Sequence, residues 1–189
     1  MARLLKDRLH TQSAVSHVGL DGTVSLGDER VCRAAHVVLA LPPQLVTHSQ
    51  LVSELPVHVA QDLAAIPTWM AGHAKFVALY DRPCWLVAGL SGDATSRHGP
   101  LMEIHDASGP DGSPAALFVF LGILAVHRRG TEVETKLAAK AQLTRLFGPE
   151  ARHHKACALC DWARQPHTAT QADLVPPSGH PAYGVPTSV

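Results

Sequence analysis

Three groups of residues have types and spacings that could do chemistry. Lys75 lies in a run where Ala71, His73, Lys75, Val77 and Leu79 alternate with Gly72, Ala74, Phe76, Ala78 and Tyr80. That period of two predicts a strand with an ammonium on the face it shares with Val77 and Leu79. A half-buried lysine there has three donors with which to hold a water or an anion. At a solvated sheet edge the same lysine would only keep strange strands from pairing. Spacing leaves both readings open.

The second group is His153, His154, Cys157 and Cys160, which includes a CxxC. If this segment is helical, His153, Cys157 and Cys160 share a face. Zinc sites usually draw on two separated knuckles, so no metal is expected from this one. The third is His105-Asp106, a pair of the kind that activates a nucleophile. No Gly-x-Ser-x-Gly elbow exists to serve it, and the histidine reads as structural or exposed.

The elements around these residues follow from patterning. Residues 1 to 10 read as the end of a helix, with Leu4, Leu5 and Leu9 on one face. Ala14 to Val18 and Thr23 to Leu26 predict a hairpin about Asp21-Gly22, with a third short strand over Glu29 to Arg33. His36 to Leu41 is apolar on both faces, the pattern of a central strand, and Pro42-Pro43 ends it. Glu54 to Ile66 predicts a helix with Ser53 as N-cap and Pro56 in its first turn. Gly89 to Pro100 is loop. Leu101 to Ala107 and Ala115 to Leu121 predict two antiparallel strands. Thr131 to Phe147 predicts a helix with a Thr131–Glu134 capping box and a face of Val133, Leu137 and Phe147 flanked by Ala141 and Leu143, stopped by Gly148-Pro149.

Several of these segments together resemble the flavin-containing amine oxidase (monoamine oxidase) family. They are AAHVVLALPPQL, LAAIPTWMAGHAKFVALYDRPCW, GLSGDATSRHGPLMEIHDAS and CDWARQPHTAT, in that order, and the likeness runs from about Leu4 to Tyr183. The resemblance implies an α+β fold: a mixed or antiparallel sheet with helices packed on one side, plus a small β-rich piece of an FAD-binding domain. It implies a partial FAD-binding domain at 1–43, a substrate domain at 44–175 and a Pro-rich tail at 176–189. It also implies FAD-dependent oxidation of a C–N bond in an amine substrate, with oxygen as acceptor.

By the same resemblance, Lys75 is the expected catalytic residue, matching a lysine that holds a water next to the flavin. A positive charge there favours negative charge building on oxygen. Val15 matches a valine whose backbone meets the adenine end of FAD. Trp162 matches a tryptophan near the flavin, and its residue-only reading is a core aromatic. Thr170-Gln171-Ala172 stand where some relatives have a flavin-linked cysteine and then a cage tyrosine, so non-covalent FAD is expected.

No Gly-x-Gly-x-x-Gly turn occurs in the 189 residues. The chain also stops before the glycine-rich segment that follows an HPAYG-like stretch in the family. The expectation is a central fragment, with another chain or domain supplying the rest of the FAD site. The alternative is a non-catalytic remnant that binds a small molecule or a protein. Sixteen basic residues balance sixteen acidic ones, which gives no field toward nucleic acid. Four scattered cysteines, no signal-peptide pattern and no run long enough to span a membrane predict a cytoplasmic protein.

Overall fold

The computed structural model describes residues 2–49, 51–52 and 54–175. The expected N-cap Ser53, the tail at 176–189 and its HPAYG stretch lie outside the described residues. The chain divides into two compact units after Thr68. The expected boundary after residue 43 divides by family role, whereas this one divides by packing.

In the first unit, helix α1 (Ala2–Leu5) leads through a 3-10 turn into three antiparallel strands. These are β1 (Val15–Val18), β2 (Thr23–Leu26) and β3 (Val31–Arg33), in the order β1-β2-β3. The predicted hairpin forms about Asp21-Gly22. Asp21 accepts from the Thr23 N–H and hydroxyl, and Gly22 takes a φ of 83° that favours glycine. The expected helical face of Leu4, Leu5 and Leu9 does not form. Lys6 adopts a φ of 45°, which breaks the helix, and all three leucines are exposed.

His36 to Leu41 forms no strand, against its apolar pattern, and Val38 is 89% exposed. A strand buried on both faces needs a ladder on each side. Among the described residues the small sheet ends at β3. Pro43 instead starts helix α2 (Pro43–His48), whose first position suits proline. Helix α3 (Val57–Ala65) starts later than expected. Pro56 is its extended cap at ψ 141°, and a residue before proline is steered away from helix. Val18, Val46, Leu51 and Val52 form the small core of this unit.

The second unit is built on a five-stranded sheet in the order β5-β6-β7-β4-β8. The strands are β4 (Ala74–Tyr80), β5 (Ala94–Thr95), β6 (Leu101–Asp106), β7 (Ala115–Leu121) and β8 (Ala156–Asp161), and every pairing is antiparallel. A short helix, α4 (Cys84–Val87), follows β4, and the long helix α5 (Glu132–Phe147) follows β7. One sheet face is closed: Phe76, Ile104, Leu117 and Val119 pack with Ala139, Leu143 and Phe147 of α5 and with Trp85. Trp85 stands edge-on to Tyr80 at 5.3 Å, and its indole donates to Asp106 Oδ2 at 2.8 Å. The architecture is therefore α+β, with two antiparallel sheets.

Helix α5 has its expected length but not its expected cap or face. Thr131 makes no side-chain cap bond; its hydroxyl donates instead to the Arg128 carbonyl at 3.1 Å. The buried stripe is Thr135, Ala139, Gln142, Leu143 and Phe147, while Val133 and Leu137 are exposed. Gln142 explains the choice. Its amide both accepts from and donates to the Leu101 backbone, at 3.0 and 2.8 Å, fastening the helix to the first residue of β6. Gly99 must be glycine beside it, because an added Cβ would lie 2.2 Å from Gln142 Oε1.

Candidate functional site

The other face of the five-stranded sheet carries Lys75, and the strand register decides its neighbours. One cross-strand row reads Glu103, Phe120, Lys75 and Cys160; the next reads His105, Phe118, Val77 and Ala158. These residues share one face because side chains on paired strands point together row by row. The alternation read from the sequence is present from Ala74 onward: Ala74, Phe76, Ala78 and Tyr80 are buried, whereas Lys75 and Val77 are half-buried and Leu79 is exposed. Its expected first part is not strand, since Ala71 and Gly72 form a turn and Ala71 is buried.

At the centre of this face, Phe118 and Phe120 stand edge to face with ring centroids 4.9 Å apart. The Lys75 ammonium lies 5.4 Å from each ring centroid, a cation–π arrangement. Among the described residues no carboxylate pairs with it and no acceptor takes its protons. His73 stands just before β4 with its ring edge-on to Phe120 at 6.0 Å. Burial, the Arg128 guanidinium and the Lys75 ammonium hold the His73 imidazole below its ordinary pKa, against a smaller opposing pull from Glu103. That direction favours the neutral imidazole at pH 7.

His105 stacks on Phe118 at 6.5 Å and lies 3.2 Å from Asp93, on the outer side of the patch. It does not join Asp106. That carboxylate points to the closed face, where burial would raise its pKa but hydrogen bonds from Ser108 and Trp85 hold it below the usual range. Adjacent residues on a strand face opposite ways, so the pair is separated by the pleat.

The end of the site is held by an ion pair. Asp161, the last residue of β8, receives Arg128 Nε at 3.1 Å and a second guanidinium nitrogen at 2.6 Å, and the side chains are only 5% and 16% exposed. The same guanidinium donates to the Gly72 carbonyl at 2.8 Å. The Trp162 amide then donates to the His73 carbonyl at 3.1 Å, continuing the β4–β8 ladder beyond both strands. This clamp fixes where β4 enters the sheet, and therefore where His73 and Lys75 stand. It joins residues far apart in sequence, and no local pattern announced it.

Trp162 thus stands at the same end of the site as His73. Its indole nitrogen is buried with no hydrogen-bond partner among the described residues. Val15 lies in the other unit, on the edge strand β1 opposite Leu26, and is 43% exposed. The condition for a shared face of His153, Cys157 and Cys160 is not met: their segment carries strand β8, which puts Cys157 and Cys160 on opposite faces. Among the described residues no cluster of three or more His, Cys, Asp or Glu is arranged to hold a metal ion. None of the described helices is long and apolar enough to cross a membrane.

Known proteins share this fold. The family model described as flavin containing amine oxidoreductase matches residues 1–186. A probable flavin-containing monoamine oxidase A of Dictyostelium discoideum is 26% identical over 131 residues, 68% of this chain and 28% of the relative. Cyclohexylamine oxidase from Brevibacterium oxydans IH-35A superposes with a TM-score of 0.71 at 25% identity, over 88% of this chain and 38% of that one. Wild-type putrescine oxidase bound to putrescine gives a TM-score of 0.69 at 23% identity, with the same coverage. The chain therefore spans little more than a third of the solved relatives' length.

Proposed function

The chain belongs to the flavin-containing amine oxidoreductase family, and from that premise we propose that its open sheet face is the amine-facing wall of an FAD-dependent amine oxidase. The observation that carries the reading is the ammonium of Lys75, held over Phe118 and Phe120 with its donors uncommitted. When bound, the flavin supplies the redox chemistry, accepting a hydride equivalent (two electrons with one proton) from the carbon beside the amine nitrogen. The protein's part is to place and polarise. Phe118 and Phe120 give the amine an apolar surface, and Lys75 holds a water and a positive charge where oxygen is to be reduced.

The residues of the second unit fit such a cofactor. A flavin ring presents acceptors, and this unit offers two unused donors, the Lys75 ammonium and the buried Trp162 indole N–H. The phosphate end is different, since no glycine-rich cradle occurs in the sequence. In this proposal 1–43 is part of an FAD-binding domain, with Val15 toward the adenine end, and 44–175 is the substrate domain. Another chain or domain supplies the cradle. The flavin is non-covalent and the protein works in the cytoplasm.

Mixing the purified protein with FAD and recording the visible spectrum tests the reading. A perturbed, protein-bound flavin spectrum that bleaches on adding an amine supports it. A spectrum of free FAD, unchanged also when the missing cradle is supplied in trans, leaves a non-catalytic remnant. In the flavin-loaded protein, Lys75→Met should slow reoxidation of the reduced flavin about a hundredfold. An unchanged rate would sink the role given to Lys75.

A further inference from the structure

We propose that His73 is a positioning residue, the acceptor that orients the water held by Lys75. The inference rests on the flavin reading above for the use of that water, but its geometry stands on this unit alone.

Lysine has three donors and no acceptor. A water bound to an ammonium through its oxygen must send its own protons to an acceptor elsewhere. Otherwise it turns freely and its position is loosely defined. The chain places one neutral acceptor beside Lys75. His73 is two residues back along an extended segment, about 7 Å between Cα atoms, so both side chains leave the same face. Phe120 ties them together: it is the cross-strand partner of Lys75, lies under its ammonium, and takes the His73 ring against its edge.

The imidazole is also uncommitted. Among the described residues His73 makes no side-chain hydrogen bond, while its backbone carbonyl is fixed by the Trp162 amide at 3.1 Å. The main chain at His73 is therefore fixed and its ring packs edge-on to Phe120, with its nitrogens open. The charged groups that act on it are Arg128, Lys75 and Glu103. The first two disfavour a second cation at this spot, so the imidazole keeps the lone pair that an acceptor needs. Burial is the larger cause of the neutral form, and the repulsion from Arg128 and Lys75 adds to it. The neutral ring supplies the acceptor that a lysine-bound water needs.

Glu103 is the rival acceptor. It stands across Phe120 from Lys75 in the same row, and its carboxylate lies 4.0 Å from His105 Nε2. That contact directs it outward, to the Asp93–His105 side of the patch.

The sign of the pH effect is fixed. The folded form of His73 resists protonation, so its contribution to stability is intact above the ordinary pKa of 6.5 and is lost as pH falls below it. The experiment is an NMR titration of the histidine Cε1–H resonances in the whole chain, with His73→Asn used to assign His73. The expected result is an imidazole neutral at pH 7 whose titration moves to higher pH in Lys75→Met and moves little in Glu103→Gln. An imidazole charged at pH 7, or one indifferent to Lys75→Met, overturns the proposal whether or not flavin binds.

The second readout uses flavin-loaded protein. His73→Phe should slow reoxidation of the reduced flavin about tenfold, and His73→Asn, which keeps an acceptor, should restore most of the rate. Equal rates in His73→Phe and the parent would overturn the proposal while leaving the flavin reading intact. A loss in Glu103→Gln instead of His73→Phe would transfer the role to Glu103. Failure to take up flavin counts against the flavin reading alone, and the titration then decides the placement of His73.

Discussion

Lys75 and Phe76 are adjacent on β4 and face opposite surroundings. Phe76 is fully buried among Ile104, Val119 and the side chains of α5, in a core that also takes in Trp85 and Tyr80. Lys75 meets two aromatic rings on one side and is half open on the other. On the closed face the large polar side chains have partners: the Trp85 indole reaches Asp106, Tyr80 reaches the Ala151 carbonyl, and Gln142 satisfies both ends of Leu101. The Lys75 face has polar groups left over. Stability is concentrated where donors and acceptors are matched, and chemistry is available where they are not.

This contrast can be broken by cutting into each face in turn. Phe76→Ala should cost the most, about 4 kcal/mol, through lost burial and the cavity left beside α5. Urea unfolding measures it. A cost no larger than that of Lys75→Ala would show that the two faces do not differ. Arg128→Leu comes next, at about 3 kcal/mol, because it leaves the largely buried Asp161 carboxylate with only the more exposed Arg164 as its cation. If Arg128→Leu melts with the parent, the clamp is not what fixes the entry of β4. Gln142→Leu should cost about 2 kcal/mol, since the Leu101 N–H and carbonyl lose their partner in a buried place. Hydrogen exchange at Leu101 sharpens the point: its amide should exchange faster in the variant while those at the centre of β7 do not.

How much of this was legible depends on how local the cause is. The β4 alternation, the Asp21-Gly22 hairpin and the strands β6 and β7 are written in period and turn residues, and they appear where expected. His36 to Leu41 failed for the opposite reason. Its apolar pattern states a need for two flanking strands, and pattern carries no information on whether they exist. Helix α5 was placed well at its ends, but its seated face was met only at Leu143 and Phe147. Two polar residues, Thr135 and Gln142, belong to the buried stripe, and two apolar ones, Val133 and Leu137, do not. At the site, Lys75 was legible from its odd place in an apolar alternation. The aromatic pair beneath it was not, because Phe118 and Phe120 meet Lys75 through register across strands. The Arg128–Asp161 clamp joins residues 33 apart in sequence and has no local signature.

The smallest expected effect is also the sharpest test of the contrast. Lys75→Met removes a cation–π contact, worth about 0.5–1 kcal/mol at a half-open site. It adds a flexible apolar chain that can lie against the same two rings and recover much of that. No buried partner is orphaned, because none is paired with the ammonium. The thermal midpoint should therefore move little, with a stability change within about 0.5 kcal/mol. A loss of several kcal/mol would make Lys75 part of the scaffold. A variant as stable as its parent, but slow to return its flavin to the oxidised state, would place the lysine's value in the reaction. The sheet would then be sustained wholly from its other side.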